Sequence, residues 1–100
     1  MYTYKAKLNK VIDGDTVNLT INLGFRMTMT ANCRLAGINA PEMSTEEGKA
    51  AKIALTYMLP IDLTIQSTGL DKYGRPIVEL WNGIINYNKK MLENGWAEKY

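Results

Sequence analysis

Three short polar segments of this chain contain residue types that can carry out phosphodiester chemistry. The first is Asp13–Asp15, in which two carboxylates flank a glycine. The second is Arg34 with the loop Asn39–Glu42 after it, and the third is Lys72–Arg75. Phosphodiester hydrolysis needs a carboxylate that takes a proton from water, cations for the charge that develops on phosphate, and often an oxygen-bound metal. Together the three segments contain one of each kind of group.

The chain has no histidine and a single cysteine, Cys33. A Ser-His-Asp or Cys-His nucleophile, a histidine-based nuclease and a four-cysteine zinc site are therefore excluded. Any metal would be a hard cation held by oxygen. Each polar segment taken alone also has a purely structural interpretation, since Asp-Gly-Asp is typical of turns and single arginines often lie on solvated strands.

Length and composition predict one small globular domain over residues 1–100. The chain is 46% hydrophobic and 22% charged, with a net charge of +2, so disorder is excluded and the charge is too mild for a purely electrostatic nucleic-acid binder. The first residues lack the apolar run of a signal peptide. We therefore expect a cytoplasmic protein, or a secreted one if a leader has been removed, with no membrane partner and monomeric by default.

Apolar and polar residues alternate in five segments, which predicts five strands. The segments are Tyr2–Leu8, Val17–Leu23, Met27–Leu35, Ile61–Ile65 and Arg75–Trp81, the last followed by an Asn82-Gly83 turn. On the third strand the apolar phase contains Met27, Met29 and Cys33. We expect the two methionines to fill the core and the thiol to be buried and inert.

Between the third and fourth strands the apolar spacing changes to that of a helix. Ser44–Glu47 is a capping box that predicts Ser44 as the N-cap, and Pro60 ends the helix. A second, short helix is predicted from about residue 86 to residue 94, with Gly95 as its C-cap. The order β-β-β-α-β-β plus a C-terminal helix predicts a mainly β, α+β fold: a five-stranded OB-fold barrel.

The same polar segments resemble the signature segments of staphylococcal nuclease-like (thermonuclease) domains. They are, in the family's order, Val11–Thr16 (VIDGDT), Arg34–Glu42 (RLAGINAPE) and Asp71–Arg75 (DKYGR), and Asn88 with Met91–Ala97 is similar to the family's helix and the turn after it. The likeness extends from about Lys10 to Ala97. It implies an OB-fold barrel and a calcium-dependent nuclease that hydrolyses phosphodiester bonds of DNA and RNA.

The resemblance also implies catalytic and substrate-binding roles. Glu42 would be the general base, while Arg34 and Arg75 would hold the phosphate and stabilise the transition state. The substrate would be single-stranded DNA or RNA. The positions implied to contact it are Lys72, Tyr73 and Asn88.

The implied metal site contains calcium or another divalent cation. Asp15 and the backbone carbonyl of Ala40 would be ligands, and Asp13 would lie close to the metal. The family's second metal-binding aspartate falls on Asn39, which offers a carbonyl oxygen but no charge. We therefore expect weaker calcium binding than in the family.

Asn39 and the C-terminal residues are also consistent with two other functions. The family's base-contacting tyrosines lie past the position of Gly95, and the given sequence ends at Tyr100. One alternative is a weakly active or inactive OB-fold module that binds single-stranded nucleic acid or a protein. Another is a domain whose site a partner chain completes.

Overall fold

The computed structural model describes residues 2–100 and consists of eight strands and two helices. The alternating segments of the sequence form the five long strands, and three two-residue strands are added to them. The elements in chain order are β1 (Tyr2–Asp13), β2 (Thr16–Gly24), β3 (Met27–Leu35), β4 (Ile38–Asn39), α1 (Glu46–Met58), β5 (Asp62–Leu70), β6 (Pro76–Asn82), β7 (Ile85–Asn86), α2 (Tyr87–Glu93) and β8 (Glu98–Lys99).

The five long strands close into the predicted OB-fold barrel. β1 pairs antiparallel with both β2 and β5, β2 pairs with β3, and β5 pairs with β6. The barrel closes where β3 meets β6 in parallel, with Arg34 opposite Ile77 and Leu35 opposite Val78. β7 pairs antiparallel with the last residues of β6, and β4 pairs with β8 in a separate two-stranded sheet.

The core lies inside the barrel and under α1. Alternate residues of β2 face inward, so Val17, Leu19 and Ile21 are almost completely buried. α1 contributes Ala51 and Leu55, both without exposed surface. Burial of these side chains is the main term that stabilises the closed barrel.

The third strand is buried over only part of its length. Cys33 is completely buried, as predicted, and burial raises its pKa from 9.0 to about 11. The prediction for Met27 and Met29 is wrong, because both side chains are exposed. The pairing of β1 with β2 ends at Ala6 opposite Ile21, so the end of the β2–β3 hairpin extends past the barrel and has no core to face.

The helix caps differ in detail from the prediction. The N-cap of α1 is Thr45 and not Ser44: its Oγ1 accepts a hydrogen bond from the N–H of Gly48 (3.0 Å) and donates one to the carbonyl of Glu42 (2.7 Å). α2 ends one residue before the expected Asn94, and Gly95 follows with a φ of 76°. Its N–H bonds to the carbonyl of Leu92, which is the glycine-terminated helix end that the sequence predicts.

Several strand boundaries also differ from the prediction. β1 continues past the expected Leu8 to Asp13, and the fourth long strand is Asp62–Leu70 rather than Ile61–Ile65. The fifth long strand begins at Pro76 rather than Arg75, and its hairpin turn consists of Gly83 and Ile84, because Asn82 still pairs with Ile85. Within residues 2–100, neither helix has both the length and the apolar character needed to cross a membrane.

The cap assignment predicts a difference between two neighbouring substitutions. Thr45→Ala removes the side-chain acceptor for Gly48 and should lower the free energy of unfolding by about 1 kcal/mol. Ser44→Ala is the matched control and should change it by less than about 0.5 kcal/mol. Urea unfolding followed by circular dichroism measures both values, and a larger loss for Ser44→Ala would restore the capping box read from the sequence.

Candidate active site

The turn between β1 and β2 brings two carboxylates together at one end of the barrel. The N–H of Asp15 donates to Oδ1 of Asp13 (3.0 Å), which fixes the turn. The turn lies against the loop after β4 and against α1: a Cβ on Gly14 would come within 2.7 Å of the Cβ of Ala40 and 2.8 Å of that of Ala51. Only glycine therefore allows these three segments to approach so closely.

Asp15 joins the turn to β3 and to the loop after β4. Its backbone carbonyl accepts a hydrogen bond from the N–H of Leu35 (2.8 Å). Its carboxylate accepts from the N–H of Ala40 at Oδ2 (2.8 Å) and from the hydroxyl of Thr16 at Oδ1 (3.2 Å). Asp15 is buried, so these contacts replace the water that the carboxylate loses.

Arg34 completes this arrangement from β3. Its Nη1 lies 3.4 Å from Oδ2 of Asp15 in a salt bridge whose two side chains are only 16% and 12% exposed. The same nitrogen donates to the carbonyls of Asp15 and Leu35, and Nη2 donates to Oδ1 of Asn39 (3.2 Å). The ring of Tyr100 lies 5.6 Å from the guanidinium carbon. We call Asp13, Asp15, Arg34, Asn39 and Ala40 the Asp15–Arg34 cluster.

The pKa of Asp15 reflects opposing influences within the cluster. Burial raises the pKa of Asp15, and the adjacent carboxyl of Asp13 raises it further, while the N–H of Ala40 and the charge of Arg34 act in the opposite direction. Two carboxylates that face each other with one guanidinium beside them form an incompletely compensated pair. A hard cation would relieve this repulsion.

The oxygen donors in the cluster fit such a cation. They are the carboxylates of Asp13 and Asp15, the amide oxygen of Asn39 and the backbone carbonyl of Ala40, all of types that calcium accepts. Across residues 2–100, no group of three or more His, Cys, Asp or Glu side chains is placed to hold a metal ion. In the Asp15–Arg34 cluster the only such side chains are Asp13 and Asp15, and Asn39 adds a neutral oxygen.

Glu42 lies on the exposed loop that follows β4, two residues after Ala40. Its backbone is held firmly: the carbonyl accepts from both the N–H (3.0 Å) and the hydroxyl of Thr45. A side chain on Gly48 would collide with this carbonyl. The loop therefore presents an exposed carboxylate from a backbone that is fixed against the first turn of α1.

A second group of polar residues lies on the turn before β6. Asp71 accepts hydrogen bonds from the N–H groups of Tyr73 and Arg75 and from Nε of Arg75 (2.7 Å). Desolvation raises the pKa of Asp71, but these hydrogen bonds outweigh it and hold the pKa below its ordinary value. The ring of Tyr73 lies beneath the charged ends of Lys72 (5.2 Å) and Arg75 (5.5 Å). We call this group the 71–75 turn.

The register of the barrel relates the two groups. Arg34 pairs with Ile77, two residues after Arg75, at the position where β3 and β6 close the barrel. The 71–75 turn therefore leads into β6 beside the Asp15–Arg34 cluster. A cleft of about 650 Å³ lies next to Asn39 and Ala40 of the cluster, with Trp96 on its wall.

The side chain of Asn88 joins three elements of the fold. It is buried, with 4% of its surface exposed. Its amide oxygen accepts from the N–H of Leu80 (3.0 Å), and its amide nitrogen donates to the carbonyls of Ala36 (2.9 Å) and Val78 (3.0 Å). These bonds give Asn88 a structural role, joining α2 to β6 and to the loop after β3, and the substrate contact implied by the resemblance stays a prediction.

Three residues that support the site were not among the predicted site residues. Asp71 orients Arg75. Its position four residues before Arg75 in a turn-rich segment indicated such a contact. Gly48 and Thr45 hold the Glu42 loop. A glycine inside the first turn of a helix is unfavourable in itself, so Gly48 also indicated a close backbone contact.

Comparison with known families identifies the family of the chain. Residues 32–100 match the staphylococcal nuclease homologue family, which is more than two thirds of the chain and includes Arg34, Glu42 and Arg75. The chain belongs to this family and has its nuclease-type fold. The match does not include the Asp13–Asp15 turn. No curated protein matches the chain.

The structural assignment of Asn88 predicts a large effect on stability. Asn88→Ala removes the partner of the Leu80 N–H and of the Ala36 carbonyl, while the carbonyl of Val78 keeps the N–H of Ala36. The substitution should lower the free energy of unfolding by about 2–6 kcal/mol, at 1–3 kcal/mol per unsatisfied group. Asn94→Ala, at the exposed end of α2, is the control and should cost little. Urea unfolding measures both values, and equally small losses in the two variants would contradict the structural role of Asn88.

Proposed function

We propose that this chain is a calcium-dependent phosphodiesterase that cleaves DNA or RNA single strands. The proposal is carried by one observation: Asp15 and Asn39 hold the guanidinium of Arg34 at one end of the barrel, where the N–H of Ala40 also donates to the Asp15 carboxylate. The family match supports it, because it extends over Arg34, Glu42 and Arg75.

The residues suited to hold calcium are Asp15, Asn39 through its amide oxygen and Ala40 through its backbone carbonyl, with Asp13 beside them. When bound, the cation supplies positive charge that stabilises a phosphate oxygen in the transition state. The bond from the Ala40 N–H to the Asp15 carboxylate supports this assignment, because it holds the loop after β4 next to the turn between β1 and β2.

Glu42 would act as the general base. It accepts a proton from the attacking water while its backbone stays fixed by Thr45 and by the close contact at Gly48. A general base works best when its position relative to the reacting atoms is constant. An exposed side chain on a firm backbone meets this need and leaves room for the water.

The two arginines would bind the phosphate from different directions. Asp71 holds Arg75 through Nε, which leaves the terminal nitrogens of the guanidinium for phosphate oxygens. Arg34 is already bonded to Asp15 and Asn39, so it binds phosphate with its remaining N–H groups while neutralising the carboxylate beside it. Guanidinium groups that are held before substrate arrives stabilise developing charge without reorganisation. Lys72 and Tyr73 lie beside Arg75 and would contact the next part of the strand.

Replacing the proposed base separates catalysis from binding. Glu42→Gln should slow cleavage of single-stranded DNA about 10²- to 10⁴-fold, because the amide cannot accept the proton. Metal-dependent binding of a labelled oligonucleotide should stay within a factor of two of the wild type, a change of about 0.4 kcal/mol. Cleavage is followed on gels across a calcium titration, with a chelator as the blank.

Glu93→Gln, at the end of α2, makes the same chemical change away from the cluster and should leave cleavage unchanged. Cleavage that survives Glu42→Gln would remove Glu42 from the role of base. Binding without any calcium-dependent cleavage in the wild type would instead support the binding module that Asn39 keeps open.

If Asn39 is a neutral calcium ligand, a carboxylate at this position should increase the affinity for calcium. Asn39→Asp adds a negative charge beside Asp15 and should raise calcium affinity by one to two orders of magnitude, about 1.4–2.8 kcal/mol. Calorimetric titration with calcium measures the change. Asn82→Asp adds the same charge at the far end of β6 and serves as the control; an equal effect of both substitutions, or none from Asn39→Asp, would show that position 39 is not a ligand.

A further inference from the structure

The end of the β2–β3 hairpin exposes an unusual number of apolar side chains. We call residues 22–29 the ribbon, because here the two strands extend past β1. Phe25 is 98% exposed, Met27 61%, Leu23 41% and Met29 39%. Scattered apolar residues are common on protein surfaces, but four on one short projecting element form a patch, and such patches mark interaction sites.

The turn of the ribbon has a conformation that side chains disfavour. Phe25 has a φ of 53° and Arg26 a φ of 64°. Turns of this type normally contain asparagine or glycine, since other residues are rarely left-handed. The turn sets the direction of the ribbon and places the ring of Phe25 at its exposed tip, away from the core.

The outer edge of β3 has no partner strand along the ribbon. Among residues 2–100, β3 pairs with β2 on one side and reaches β6 only at Arg34 and Leu35 on the other. Free edges in natural proteins are usually protected by lysine, proline or a bulge within the strand. The segment Met27–Asn32 (MTMTAN) has neither of these residues, and the bulge of this hairpin lies in β2, between Asn22 and Gly24.

We propose that two copies of this chain pair through this edge, antiparallel, with Met29 on the two-fold axis. In this register Met27 faces Ala31 of the second copy and the two Met29 side chains meet, so the apolar faces coincide. Thr28 faces Thr30 of the second copy on the other side of the sheet. Arg26 falls opposite Asn32, whereas an axis at Thr30 would place it against Arg34 and repel the second copy.

Charge favours a second copy over a polyanion or a membrane. From Thr16 to Cys33 the only charged residue is Arg26. A polynucleotide or an anionic lipid surface is held by several cations, each adding to the attraction. An uncharged strand edge that offers alternating N–H and C=O groups is complementary to itself, and two copies meet there without repulsion along the paired segment.

The surface available fits a reversible dimer. Met27 and Met29 lie on the pairing strand and Phe25 lies in the turn before it, and a phenylalanine buries roughly 150–250 Å². Together with the two partly exposed methionines this stays well below the ~800 Å² per partner found in stable complexes. Pairing of the strand backbones and the threonines adds to this area, so we expect dissociation in the micromolar range.

Sedimentation velocity over a concentration series tests the pairing. The wild type should shift from the 11.3 kDa monomer to twice that mass, and Met29→Lys should remain monomeric because it places two like charges on the axis. Ile84→Lys makes the same change at an exposed residue on the β6–β7 turn and should dimerise like the wild type. A wild type that stays monomeric throughout, or a Met29→Lys variant that still dimerises, overturns the proposal.

An oxidative cross-link tests the register. Met29→Cys should form a disulfide-linked dimer in air, because residues facing each other across an antiparallel pair have Cα atoms close enough for a disulfide. Ile84→Cys is the control, and the native Cys33 is buried. Equal cross-linking of both variants overturns the register, as does a monomeric Met29→Cys. Binding of the monomer to vesicles of phosphatidylserine, abolished by Phe25→Lys, would assign the ribbon to a membrane surface and overturn the dimer.

Discussion

Asp15 connects the three parts of the molecule on which the candidate site depends. Its carbonyl bonds to Leu35 at the closure of the barrel, its carboxylate bonds to Ala40 in the loop after β4, and its charge pairs with Arg34. A buried carboxylate is unfavourable unless hydrogen bonds and an opposite charge compensate it. The chain satisfies this need with the same groups that form the site, so the folding constraint and the proposed chemistry share one residue.

The loop from residue 36 to residue 42 is held on every side by elements distant in sequence. Asn88 binds the carbonyl of Ala36, β8 pairs with β4, and Tyr100 donates to the carbonyl of Gly37 (3.0 Å). Gly14 and Gly48 allow the backbone to approach the β1–β2 turn and α1. Because so many contacts converge here, a segment with almost no regular structure has a defined position, which a catalytic loop needs.

The two ends of the barrel differ in character. At one end the strands lead into charged and polar groups that are paired and partly buried, and the amide oxygen of Asn39 accepts a hydrogen bond from Arg34. At the other end the β2–β3 ribbon is nearly uncharged, apolar and without a neighbouring strand. Strands β2 and β3 run from one end to the other and so separate the two regions.

Local patterns in the sequence determined the barrel and the residue types of the site. Period-two alternation defined the five long strands, the change of period defined α1, and the glycine after α2 defined its end, because these signals depend only on neighbouring residues. The polar segments at residues 13–15, 34–42 and 71–75 could also be found without the fold, since their composition is unusual and their order matches a family.

The tertiary structure decided which of these residues meet and which side chains are buried. Asn88 is polar and lies in a motif, yet only the convergence of α2, β6 and the loop after β3 shows that its amide is fully engaged. Met27 and Met29 alternate in phase with Cys33, but a side chain is buried only where another part of the protein packs over it. The pairing of β1 with β2 ends at Ala6 and Ile21, so nothing covers the two methionines. Thr45 rather than Ser44 caps α1 because the carbonyl of Glu42 lies within reach of its hydroxyl. In each case the outcome depends on contacts between segments far apart in the chain, which no local pattern contains.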